Sequence, residues 1–126
     1  MYYQKTKWTT AKKQVFDGIK YDSGFEARQA QDLTLLQKAK EIKGFEAHVK
    51  IPLIWNGYII CNYYIDFKVF HNDGTIEYIE TKGYQTSEWK LKWKMLEAMT
   101  NSDPNYKMTL VQQGKFKPPK TRRVKV

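Results

Sequence analysis

The first long periodic stretch of the chain begins at Ser23. Phe25, Ala30, Leu33, Leu36 and Ala39 recur at helical spacing. Ser23 suits an N-cap, and Glu26 stands three residues on, as in a capping box. Gly44 supplies a stop, so the pattern predicts a helix over about residues 24–42. The period then falls to two. "HVKIPLIW" (48–55) alternates Val49, Ile51 and Leu53, and Pro52 marks it as an edge or irregular strand. Asn56-Gly57 is a strong hairpin signal. "YIICNYYIDFKVF" (58–70) is β-branched and aromatic and predicts a second strand. "HNDG" turns the chain into a third, "TIEYIETKG" (75–83). Residues 87–100 return to helical spacing. There Trp89, Trp93, Leu96 and Met99 share a side that Leu91 and Met95 widen. Lys90, Lys94 and Glu97 form the opposite side, while Lys92 projects within the apolar arc. "YKMTLVQQ" (106–113) predicts a last strand, and a tail containing Pro118-Pro119 is expected to be extended or mobile.

Helix, three antiparallel strands, helix, strand is the order of an α/β (α+β) sandwich, a mixed sheet with a helix on either side. A chain of 126 residues fits a single domain, here a core at 23–112 between an arm at 1–14 and a tail at 114–126.

One strand carries charges where a core strand should not. Glu80 and Lys82 are two apart, hence on one face. A two-residue loop before this strand would set Asp66 opposite Thr81, with Glu80 on the other face. A three-residue loop, with Gly74 left-handed in a bulge, pairs His71 with Thr75 and sets Asp66 opposite Glu80. The second register also sorts the side chains. Ile65, Phe67, Val69 and Ile79 fall on one face, and Tyr64, Asp66, Lys68, Tyr78, Glu80 and Lys82 on the other. Like charges opposite each other destabilise a strand pair. Asp66 and Glu80 therefore call for a cation or a proton between them. Hard oxygen ligands, with one cysteine and two histidines in the chain, favour Mg²⁺ or Mn²⁺ over zinc. With Lys82 beside the pair and Glu26 offering a further carboxylate, the set suits metal-dependent hydrolysis of a phosphodiester.

Charge supplies the partner. The net charge is +9, but it is not spread evenly. Lys5, Lys7, Lys12 and Lys13 lie in the first arm, and Lys115, Lys117, Lys120, Arg122, Arg123 and Lys125 in the tail. These are ten of 22 basic residues, leaving 12 against 13 acids between the arms. Basic ends on a near-neutral body point to a polyanion, foremost nucleic acid. No apolar run is long enough to span a bilayer, and the N-terminal residues lack the apolar stretch of a secretory signal. A single cysteine, Cys61, suits a reducing cytoplasm. His48 and His71 have no partner in sequence, and Cys61 reads as a small buried hydrophobe.

"YID" (64–66), followed after a hairpin by "IETK" (79–82), resembles the PD-(D/E)XK nuclease motif. The element order resembles that superfamily's restriction-endonuclease-like αβββαβ core, although Ile65 stands where the motif has its proline. Small size and basic ends are similar to the phage and prophage branch, which includes Holliday-junction-resolving endonucleases. The resemblance implies Asp66 and Glu80 as metal ligands assisted by the Thr81 carbonyl, Lys82 as catalytic lysine, and Glu26 as an added acidic ligand. It implies a Mg²⁺- or Mn²⁺-dependent DNA endonuclease acting on branched DNA in phage recombination or replication. It also implies a homodimer in the cytoplasm of a bacterial host, with no membrane partner and no small-molecule cofactor. Phosphate contacts are expected from Lys92, Lys90, Lys94, Lys12, Lys13, Lys115, Lys117, Arg122 and Arg123. The rival readings are a non-catalytic nucleic-acid-binding module on the same fold, a protein-interaction subunit, and a nuclease for RNA or plain duplex DNA.

Overall fold

A computed structural model describes residues 14–16, 18–21, 23–112 and 117–125. Lys12, Lys13 and Lys115 lie outside these residues. The elements run β1 (Gln14–Phe16), β2 (Ile19–Tyr21), α1 (Gly24–Lys38), β3 (Ile42–Trp55), β4 (Tyr58–His71), β5 (Ile76–Lys82), α2 (Ser87–Thr100) and β6 (Tyr106–Gln112). A four-stranded sheet has the order β3-β4-β5-β6, with β5 and β6 parallel and the other pairs antiparallel. The mixed sheet carries one helix core on each face, the α+β sandwich the pattern predicts. Pro52 does lie on an edge strand, β3.

Local chemistry sets the element ends. The Ser23 hydroxyl accepts from the Glu26 backbone N–H at 3.2 Å and starts α1. The helix ends at Lys38, short of the predicted 42, because Lys40 turns left-handed (φ +62°) and Ile42 is drawn into the core. Gly44 is not the stop but lies inside β3. Ala27, Ala30 and Leu33 are buried, whereas Leu36 and Ala39 of the predicted face are exposed. Thr86 caps α2 through the Trp89 N–H at 3.1 Å. Trp89, Trp93 and Leu96 are buried as predicted, but Leu91 (69% exposed) and Met99 (39%) are not. The β1–β2 hairpin was not predicted. Its three-residue strands are too short to show a period, yet they seat Tyr21, 1% exposed, beneath α1. The tail residues 117–125 form no helix or strand, and Thr121, Arg122 and Arg123 line a pocket together with Ala98 of α2 and with Asn101 and Ser102 just after it.

Asn56 and Gly57 both take positive φ (+52° and +84°), joining β3 to β4 through the Trp55–Tyr58 pair. That is the hairpin turn in which both central residues are left-handed. A β-carbon on Gly57 would meet no atom within 4 Å, so the backbone alone sets its cost. Gly57→Ala is therefore expected to lower stability by about 1 kcal/mol, read as a shifted denaturation midpoint with an unchanged slope.

The β4–β5 register is the one the hydrophobic pattern selects. His71 N–H donates to Thr75 O at 2.9 Å, and Gly74 sits at φ +90°. Phe67 pairs with Ile79, Lys68 with Tyr78, Val69 with Glu77 and Phe70 with Ile76. The ladder stops there, one step before Asp66 and Glu80.

The cause lies across β4. His48 on β3 adopts φ +56°, and the β3–β4 ladder skips the rung His48–Asp66. A left-handed residue in a strand breaks the alternation of faces. On one side of the break Phe45, Ala47, Phe67 and Val69 pack toward α1; on the other Val49, Ile51, Leu53, Tyr63 and Ile65 pack toward α2. Ile65 thus leaves the face it was predicted to share with Phe67, Val69 and Ile79. The hairpin changes sides of the sheet at Asp66, and β4 parts from β5 at the same place.

Candidate active site

The parting of β4 and β5 makes a gap, and Asp66 fills it. In this ladder the odd residues of β5 turn their N–H and C=O groups toward β4, since His71 and Thr75 bond directly. Thr81 N–H would next meet the carbonyl of Ile65. It donates instead to Asp66 Oδ2 at 2.8 Å, and the Thr81 hydroxyl donates to the same oxygen at 2.8 Å. Asp66 is thus tied to Thr81 rather than standing free across from Glu80. The same alternation turns the Thr81 carbonyl into the gap beside it.

Glu80 comes from the α2 side of β5 and is 3% exposed. Its Oε2 receives Lys82 Nζ at 3.3 Å, while its Oε1 is buried with no hydrogen-bond partner. Lys82 Nζ also lies 4.9 Å from the centre of the Trp89 ring, a cation–π position that fixes the ammonium from behind. Trp89 Nε1 donates to the Tyr63 hydroxyl at 2.8 Å, and that hydroxyl interacts in turn with Glu80. Tyr63 and Trp89 thus brace the carboxylate and the lysine together.

Burial pushes the Glu80 carboxyl up to about 8; neighbouring Asp66 adds to the rise, and Lys82 opposes it. Burial also raises Asp66, against the two Thr81 hydrogen bonds and the charges of Lys82 and His48. Tyr63 is raised by burial and then by Glu80. Two desolvated carboxylates with one lysine form an electron-rich pocket that takes up a proton or a cation. The fit to a hard divalent ion rests on the orphaned Glu80 Oε1, the Asp66 carboxylate and the Thr81 carbonyl. Among the described residues no three His, Cys, Asp or Glu side chains gather into a metal cage. Two carboxylates and several waters are what Mg²⁺ ordinarily takes from a protein.

Glu26 is buried but not grouped with this pair. Its Oε2 receives His48 Nε2 at 2.8 Å, so the first helix grips the kinked strand instead. His48, after Lys82, also acts to lower the Asp66 carboxyl. Neither His48 nor Tyr63 stood out in the sequence, because a left-handed histidine and a tyrosine three residues before Asp66 carry no local signal. Lys92 pairs with Glu88 at 3.2 Å along α2, whereas Lys90, Lys94, Lys117, Arg122 and Arg123 are exposed. His71 sits at the far turn and bonds Glu77 at 2.8 Å.

The fold and site define a small α+β protein with a buried carboxylate pair and a lysine where two strands part. The chain belongs to the DUF1064 family, described as proteins of unknown function, whose model matches residues 5–117. Among curated proteins, none matches the chain. No helix among the described residues is long and apolar enough to cross a membrane.

Proposed function

We propose that the protein is a Mg²⁺-dependent DNA endonuclease that hydrolyses phosphodiester bonds. The observation that carries this reading is the Glu80 carboxylate, buried beside Asp66 with Oε1 unpartnered and Lys82 at 3.3 Å. Asp66, Glu80 and the Thr81 carbonyl would hold the ion, Mg²⁺ or Mn²⁺. Such an ion lowers the pKa of a bound water and offsets charge on a phosphoryl oxygen. Lys82, held over Trp89, meets the negative charge that grows on the phosphate in the transition state. Tyr63 keeps Glu80 from rotating out of place. His48, anchored by Glu26, holds the kink that aims Asp66 into the gap. Exposed Lys117, Arg122 and Arg123 would grip phosphates and make binding fall with salt. Branched DNA, such as the junctions of phage recombination, is the substrate class this reading favours. A homodimer in a bacterial cytoplasm is its setting.

The test uses supercoiled plasmid, linear duplex and a four-way junction, each with Mg²⁺, Mn²⁺ or EDTA. Cleavage is expected with either metal and not with EDTA, and fastest on the junction. Lys82→Ala is expected to slow it about 10²-fold. Metal-independent binding without any cleavage would instead make the protein a binding module on a nuclease-like fold. Equal cutting of plain duplex would remove the junction preference.

A further inference from the structure

The end of the β3–β4 hairpin remote from the carboxylates carries side chains that the proposed chemistry does not use. Trp55 (72% exposed) and Tyr58 (71%) are a directly opposed cross-strand pair. Ile60 (56%) and Leu91 of α2 (69%) are bare as well. With the tail segment, Trp55, Ile60 and Leu91 enclose an open cleft of about 650 Å³, whose lining does not include Tyr58. Its floor is Trp55, Ile60, Leu91, Met95 and Ala98, and its polar lining includes Lys94, Lys120 and Arg122, with no acidic side chain among the described residues. Apolar surface of this kind marks an interaction site.

We infer that this cleft binds an unpaired DNA strand. The inference rests on the nucleic-acid reading above and names the part of the substrate that the carboxylates do not touch. Three cations around an apolar floor complement a phosphate backbone whose bases are turned inward. Aromatic faces stack on bases only where those bases are free, so a duplex would gain the charge contacts but not the stacking. A second copy of the chain fits less well, because a two-fold contact through this face would bring Lys94, Lys120 and Arg122 toward their own counterparts. The cleft shares the α2 side of the sheet with Glu80 and Lys82. Asp66 lies six residue steps along β4 from Ile60, a span of about 20 Å. A strand lying in the cleft would therefore place the point where it rejoins a duplex near the carboxylates. That geometry selects forks, flaps and junctions over blunt duplex.

The experiment measures anisotropy of a labelled oligothymidine and of a blunt duplex of equal length. It uses the full chain in EDTA, in a Glu80→Gln background, so that cleavage plays no part. Trp55→Ala is expected to weaken single-strand binding about tenfold and to leave duplex binding nearly unchanged. Trp55→Phe, which keeps a ring, is expected to restore most of the loss. Lys120→Gln is expected to weaken both ligands and to flatten the salt dependence. Thermal melts of the exposed-site variants should superimpose on the parent. The inference is overturned if the parent does not bind the single strand, or if Trp55→Ala leaves that binding unchanged or lowers duplex binding equally. It is also overturned if Trp55→Ala turns a dimer into a monomer with single-strand binding intact, which would make the face a self-contact. Because the assay contains no metal, absence of nuclease activity leaves its outcome standing, and a failed stacking test leaves the nuclease reading standing.

Discussion

Replacing Glu80 with glutamine is expected to cut metal-dependent cleavage on the order of 10³-fold and, at pH 8, to make the protein more stable. Glutamine keeps the volume and the contact with Tyr63 but cannot carry the charge that an ion or Lys82 requires. The charge is costly where it sits. Glu80 is 3% exposed, and burial pushes its carboxyl up to about 8 from an ordinary 4.5. Each unit of such a shift corresponds to about 1.4 kcal/mol. A neutral isostere recovers part of that, about 1–3 kcal/mol after the loss of the Lys82 pairing. Gain of stability with loss of activity is the behaviour of a residue retained for function. Two measurements check it: the rate of plasmid nicking in Mg²⁺ and the urea midpoint at pH 8. A glutamine variant that nicks at the parental rate, or that unfolds more readily at pH 8, would remove Glu80 from the site. Lys82→Met separates the two roles further, since it should lower activity while raising the burden of charge on Glu80.

The sequence carried the frame of this site but not its joint. Asn56-Gly57 and Gly74 announce their turns because few residues tolerate positive φ, and the β4–β5 register could be read from the turn chemistry and the hydrophobic alternation; the β3–β4 register shifts by one residue between Leu53 and Ile54, which the turn does not announce. Glu80 and Lys82 stood out because a period of two places them together. The kink at His48 left no such trace. The β3–β4 register is the same before and after it, with Ala47 opposite Phe67 and Val49 opposite Ile65. Counting residues therefore cannot detect the missing rung. Only the two packed cores reveal it, since Phe67 faces α1 and Ile65 faces α2. The same joint redirects Asp66 to Thr81, and it gives Glu26 to His48. Both follow from tertiary contact rather than from spacing. On α2, periodicity places Leu91 near the apolar arc, but the hairpin end and the tail leave an open cleft over it instead of a core.

Without metal, the protein is expected to lose stability as pH rises from about 5 to 8, and Mg²⁺ is expected to restore it. The sign follows from Glu80. Its folded pKa, about 8, lies above its ordinary 4.5, so between these values the folded state holds a proton that the unfolded state has released. The contribution is complete below the ordinary value and is lost as pH rises through the folded one. Asp66 is shifted in the same direction by burial, so it adds to the trend rather than cancelling it. The Glu80 shift alone amounts to a few kcal/mol, or several degrees in melting temperature for a domain of this size. An ion held by ionised carboxylates competes with those protons. The stabilisation by Mg²⁺ should therefore be small at pH 5.5 and grow toward pH 8, the reverse of the trend in EDTA. Melting curves across this range, with Mg²⁺ and with EDTA, test both halves. In Glu80→Gln the EDTA curve should flatten and the Mg²⁺ shift should vanish. A parent protein whose melting temperature ignores both pH and Mg²⁺ would show that the buried carboxylates are already neutralised within the fold, with Lys82 as their permanent counter-ion and no place for a metal.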